Sequence, residues 1–125
     1  MRVAGWPRDL PSAPSREFDT GVVAWLLDRG PGELRASPLR RHPVGLAAYV
    51  LHHLEGCLAG ARTAYAQARV ELGSVLEPAA LREVMSALEA EGARLLNDRR
   101  EVGLVLAALT SGGRPGGRVD TEDPA

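Results

Sequence analysis

Lysine is missing from this chain altogether: its fifteen basic residues are all arginines, set against sixteen acidic ones. No side-chain amine is therefore available for conjugation. Alongside fourteen glycines and nine prolines, the absence reads as the codon bias of a GC-rich coding sequence. A net charge of −1 provides no bulk field for holding nucleic acid. Cysteine is almost missing too. Cys57 alone excludes a disulfide framework and fits a reducing cytoplasm, where the protein is expected to reside. Only five residues are aromatic, and apart from valine few are β-branched. With no clean two-residue alternation, this argues against a β-sheet. Long apolar runs are absent as well. VGLAAYVL from Val44 and VGLVLAAL from Val102 are eight residues each, whereas a membrane span needs about 20. The opening MRVAGWPRDLP has no apolar core of the kind a secretory leader needs, so none is expected.

What the chain does have is rhythm. Val44, Ala47, Leu51, Leu54, Leu58, Ala61, Tyr65, Ala68, Leu72 and Val75 are spaced alternately three and four apart. The rhythm resumes at Leu81, Met85, Leu88, Gly92, Leu95, Arg99, Val102, Leu106 and Leu109. A mean spacing of 3.5 keeps one seam of a helix against a partner helix. Two such seams joined by a short loop predict an all-α fold, a long antiparallel, coiled-coil-like helical hairpin. Pro43 suits the first turn of one helix and pushes His42 out of the helical region. Gly73 is a natural stop, Pro78 opens the second helix, and Gly112 with Gly113 closes it. The arms are thus expected over 43–72 and 78–110, within a hairpin spanning 43–111.

Before the hairpin, residues 1–17 with Pro7, Pro11 and Pro14 read as an extended or disordered lead-in. Residues 18–30, FDTGVVAWLLDRG, read as a short apolar helix capped by Asp19 and stopped by Gly30. Residues 31–42 form a linker with one turn, and 112–125 a disordered polar tail.

The apolar face is wider than two helices require. Val50, Cys57 and Ala64 precede seam residues of the first arm and are themselves apolar or small; Val84 and Val105 do the same in the second. Many seam residues are alanine or glycine, so a lone hairpin buries too little and needs another layer. A second copy completing a four-helix bundle is the simplest source; the alternative is a different partner, or the chain's own short helix folding back. Val50, Leu51, Leu54, Cys57, Leu58, Ala61, Leu88, Leu95, Val102 and Leu106 are the expected core and interface.

Three features could carry function. Arg99 interrupts the second seam at the level of His52 and His53, with Asp98 beside it or a partner-chain carboxylate as its expected companion, making a polar layer that fixes register; the alternative is that Arg99 swings to the rim, its aliphatic stem covering the seam while the head stays wet. Two turns further toward the loop, Gly92 falls opposite Gly60 or Ala59, so the helix axes can approach closely there. His53 and Cys57 share a helix face, but a metal site needs three or four converging ligands. No cofactor and no metal is expected, and these two residues are the weak candidates. Finally, Trp6, Phe18 and Trp25 crowd the first 25 positions. Phe18, Val22, Trp25 and Leu26 could dock another protein, in which case deleting residues 1–36 would leave the hairpin folded. Arg62 is expected to be offset by Glu89, and Arg82 by Glu71, as ordinary rim charges. No catalytic or family motif is present. The expected function is a non-enzymatic interaction or assembly module that binds itself, without nucleic acid or membrane. A small metal-binding bundle and an adaptor acting through the Trp25 helix are the rival readings.

Overall fold

A computed structural model describes residues 3–111, which form three helices and no strand. Helix α1 spans Arg16–Leu27, α2 Pro43–Leu72 and α3 Pro78–Ser111, with two 3₁₀ turns, Gly32–Ala36 and Pro38–Arg41, between α1 and α2. The tail expected over 112–125 lies outside the described residues. No helix among them is long and apolar enough to cross a membrane.

The two long helices start where proline permits. Pro43 occupies the first turn of α2, and His42 before it sits at φ −131°, ψ 83°, outside the helical region. At the far end the Gly73 N–H still bonds to the Arg69 carbonyl at 3.1 Å before the chain turns. The Leu81 N–H bonds to the Glu77 carbonyl at 2.9 Å and opens α3. At 1.5 Å per residue the arms are about 45 and 51 Å long. They pack along the expected seam, with Ala47, Leu54, Leu58 and Ala68 buried on α2 and Met85, Leu95 and Val102 on α3.

Helix α1 begins earlier than its acidic residues suggest. Ser15, not Asp19, is its cap: the Ser15 hydroxyl accepts from the Phe18 N–H at 3.0 Å. Asp19 lies in the first turn with Glu17, where both carboxylates complement the helix dipole. The following linker holds two turns rather than one, because Ser37 caps the second as well, accepting from the Leu39 N–H at 3.1 Å.

The lead-in is the larger correction. Residues 3–15 are not helical, yet they are packed. Trp6 and Leu10 are buried, the Trp6 Nε1–H donates to the Leu10 carbonyl at 2.9 Å, and the Trp6 ring tilts against Phe18 with centroids 5.8 Å apart. Three prolines prevent a helix here but do not prevent burial, and the indole supplies the apolar area that makes burial favourable. Gly5 anchors this strap to α3. It sits at φ +78°, its carbonyl accepts from Arg100 Nη1 at 2.9 Å, and a Cβ at this position would lie 2.6 Å from that nitrogen.

The strap and α1 together supply the second layer for the open end of the hairpin. One apolar cluster joins Trp6, Leu10, Phe18, Val22, Trp25 and Leu26 to Leu46, Val50 and Leu54 of α2 and to Val102 and Val105 of α3. Toward the loop, beyond Ala61 and Leu95, that layer stops. Only Ala68 and Met85 are buried there, and the hairpin is two helices thick.

Candidate functional site

The residues expected to form one polar level do not meet. Asp98 pairs with Arg94, one turn earlier on its own helix, at 3.0 Å. Arg94 also grips Glu91, Nε to Oε1 at 3.1 Å and Nη2 to Oε2, so one guanidinium ties three positions of α3. Its hydrogen bonds hold the Glu91 carboxyl below the usual carboxylate range, and Glu91 in turn pushes Arg94 further up. Arg99 has no hydrogen bond or ion pair. It is half-buried and lines a shallow surface groove with Leu96, Asn97 and Arg100. His52 Nδ1 contacts Glu55 Oε1 at 3.0 Å in solvent, and His53 Nε2 lies 3.4 Å from Cys57 Sγ. Among the described residues no three histidine, cysteine, aspartate or glutamate side chains converge to hold a metal ion.

The candidate docking residues lie inside the fold. Phe18, Val22, Trp25 and Leu26 are all under 5% exposed, packed in one cluster with residues of the chain's own hairpin. Trp25 is fastened from two sides. Its indole N–H donates to Asp9 Oδ1 at 2.8 Å, and the Arg29 guanidinium lies 3.8 Å above its ring. Arg29 closes the clasp, donating to Asp9 Oδ2 at 3.0 Å and to the Trp25 carbonyl at 2.9 Å. Its Nε is buried without a partner.

The Asp9 carboxyl is held below its ordinary value, chiefly by the Trp25 hydrogen bond and then by Arg29, with partial burial opposing. A depressed folded pKa contributes stability above the unfolded value of 3.8 and loses it as pH falls through the folded value. Thermal melts of the wild type and Asp9→Asn should therefore differ most well above pH 3.8 and converge as pH falls below 3.8. A gap that persists undiminished at the acid end would assign Asp9 no ionic part in the clasp.

The expected core and interface residues divide. Val50, Leu54, Leu58, Leu95 and Val102 are buried, while Leu51, Cys57, Ala61, Leu88 and Leu106 are only half-buried. Between the arms, Ala61, Arg62 and Tyr65 of α2 and Leu88, Glu89 and Gly92 of α3 line an open notch of about 220 Å³. A Cβ on Gly92 would meet nothing within 4 Å, so the notch is open beside it. The missing side chain leaves a hole because no neighbouring side chain among the described residues reaches into it. Tyr65 is 39% exposed beside it. Arg62 and Glu89 stand on its rim, and no ion pair joins them; none joins Arg82 to Glu71 either.

The notch lies on the flank away from α1. Val50 and Val105, which α1 and the strap cover, precede seam residues, whereas Arg62 and Glu89 follow them, and in an antiparallel pair those are opposite sides of the seam. Sequence reasoning missed Asp9, Arg29 and Arg94. The spacing of Glu91, Arg94 and Asp98, three and four apart, was a readable signal; the Asp9 contact, sixteen residues from Trp25, was not. No protein-family model matches the chain, and comparisons with curated proteins and with solved structures find no match either.

Proposed function

We propose that the protein is a non-enzymatic helical assembly module of the reducing cytoplasm that binds a second copy of itself through its hairpin, completing a four-helix bundle. The observation that carries this reading is the unequal thickness of the fold. The open end of the hairpin is covered by α1 and the strap, but from about Ala61 to the loop no described residue outside the two arms is laid across them. Half-buried Leu88 and exposed Tyr65 lie along that length, beside glycine and alanine positions that fill no space. An amphipathic pair of helices with apolar residues left at its margin is stabilised by another pair.

Sedimentation equilibrium at micromolar concentration tests this. A concentration-dependent dimer is expected, and a well-folded monomer across the whole range would sink the reading.

A further inference from the structure

We infer that two copies meet flank to flank at the notch, Tyr65 of each entering the Ala61–Gly92 hole of the other and Arg62 of each facing the partner's Glu89. This rests on the self-association reading above and specifies where it happens.

Three observations converge. The first is the hole. An apolar cavity of about 150 Å³ suffices for a benzene ring, and this notch measures about 220 Å³. Ala61, Leu88 and Gly92 line it, and among the described residues nothing lies within 4 Å of where a Gly92 Cβ would be.

The second is the charge pattern. Arg62 and Glu89 are opposite, exposed and unpaired on the two rims of one hole. The two arms run antiparallel. A two-fold axis directed along the hairpin therefore lays α2 of one copy over α3 of the other with levels preserved. Arg62 then lies over the partner's Glu89 and Tyr65 over the partner's Leu88, and the symmetry repeats both contacts. The four rim charges alternate in sign around the meeting point. Toward the loop, Arg69 and Arg82 occupy the same flank and would face like charges, so the copies cross at the notch and diverge beyond it, as helices packed at small residues do.

The third is that the opposite flank is taken. It carries α1 at the open end, and its charged stretch is closed by Arg94 on Glu91 and Asp98.

The experiment compares sedimentation equilibrium of the wild type, Arg62→Glu, Glu89→Arg, an equimolar mixture of those two variants, and Gly92→Leu. Each charge reversal places four like charges at the meeting point and should raise the dimer dissociation constant at least tenfold. In the mixture, the carboxylate introduced at position 62 meets the guanidinium introduced at position 89, while the native pair meets across the other half. The mixture should therefore restore a heterodimer near wild-type affinity, a result that misfolded variants could not give. Gly92→Leu fills the hole with no internal clash, so its melting temperature should be retained while dimer affinity drops at least tenfold. Charge variants that dimerise as tightly as the wild type, a mixture that stays monomeric, or an undiminished Gly92→Leu dimer each overturn the site while leaving self-association standing. A wild type that is itself monomeric overturns both.

Discussion

Removing residues 1–36 will abolish cooperative folding of the hairpin that remains. Sixteen buried apolar residues form the main cluster, and eight of them lie ahead of residue 37: Trp6, Leu10, Phe18, Val22, Trp25, Leu26, Leu27 and Leu34. Burial of a large apolar side chain contributes about 1.5–3 kcal/mol. Eight such side chains therefore contribute roughly 12–24 kcal/mol, more than the about 5–15 kcal/mol by which a domain is usually stable. The truncated chain would also expose Leu46, Ala47, Val50 and Leu54 on α2 and Val102 and Val105 on α3, all of which are fully or almost fully buried now. Circular dichroism should show a broad, low-temperature loss of helix in place of a single transition, with binding of a hydrophobic dye. A truncated chain that melts as sharply and as high as the full one would show that the hairpin carries its own core. That was the outcome to be expected had the Trp25 helix been a docking arm; its residues instead line the chain's own core.

The distinction explains what could be read from the residues and what could not. The arms were legible because proline acts locally: Pro43 and Pro78 fix where α2 and α3 begin, and Gly73 falls just beyond the end of α2. The seam was legible because the 3.5-residue period is written in consecutive residues. The wide face was legible too, through Val50 and Val105. What covers it was not, since a second copy and the chain's own first helix present the same apolar chemistry to that face. The lead-in was obscured by its prolines, which report on backbone conformation and say nothing of whether Trp6 is buried. Arg99 had two open readings for a related reason. A position in a repeat gives the direction of a Cβ, but an arginine head lies several bonds further out and goes where water is. Gly92 permits close approach without compelling it, and the space where its side chain would be stays open.

Trp25→Ala should be the most damaging single substitution, costing about 3–5 kcal/mol as a large-to-small change in a packed core. Trp25 is 4% exposed and belongs to the same cluster as Val50 and Val105. Its loss does more than open a cavity. Asp9 would lose the indole donor that contributes most to its lowered pKa, and Arg29 would lose the ring beneath its guanidinium. The Asp9–Arg29 pair that remains has a carboxylate 63% exposed, where an ion pair adds at most about 1 kcal/mol. Trp25→Phe separates the two contributions, because it keeps most of the apolar burial and removes only the donor. A hydrogen bond to a charged acceptor contributes about 1.5–3 kcal/mol, so this variant should fall between wild type and Trp25→Ala. Denaturant midpoints at neutral pH give the ordering. Repeating them with Asp9→Asn in each background gives the coupling, which should be near zero once the indole N–H is gone. If Trp25→Phe proved as costly as Trp25→Ala, the hydrogen bond to Asp9 would be the main fastening of the clasp. If Trp25→Ala cost less than about 1 kcal/mol, well below the range for a buried tryptophan, α1 would be a loosely held element, and the open end of the hairpin would have to be covered by something else.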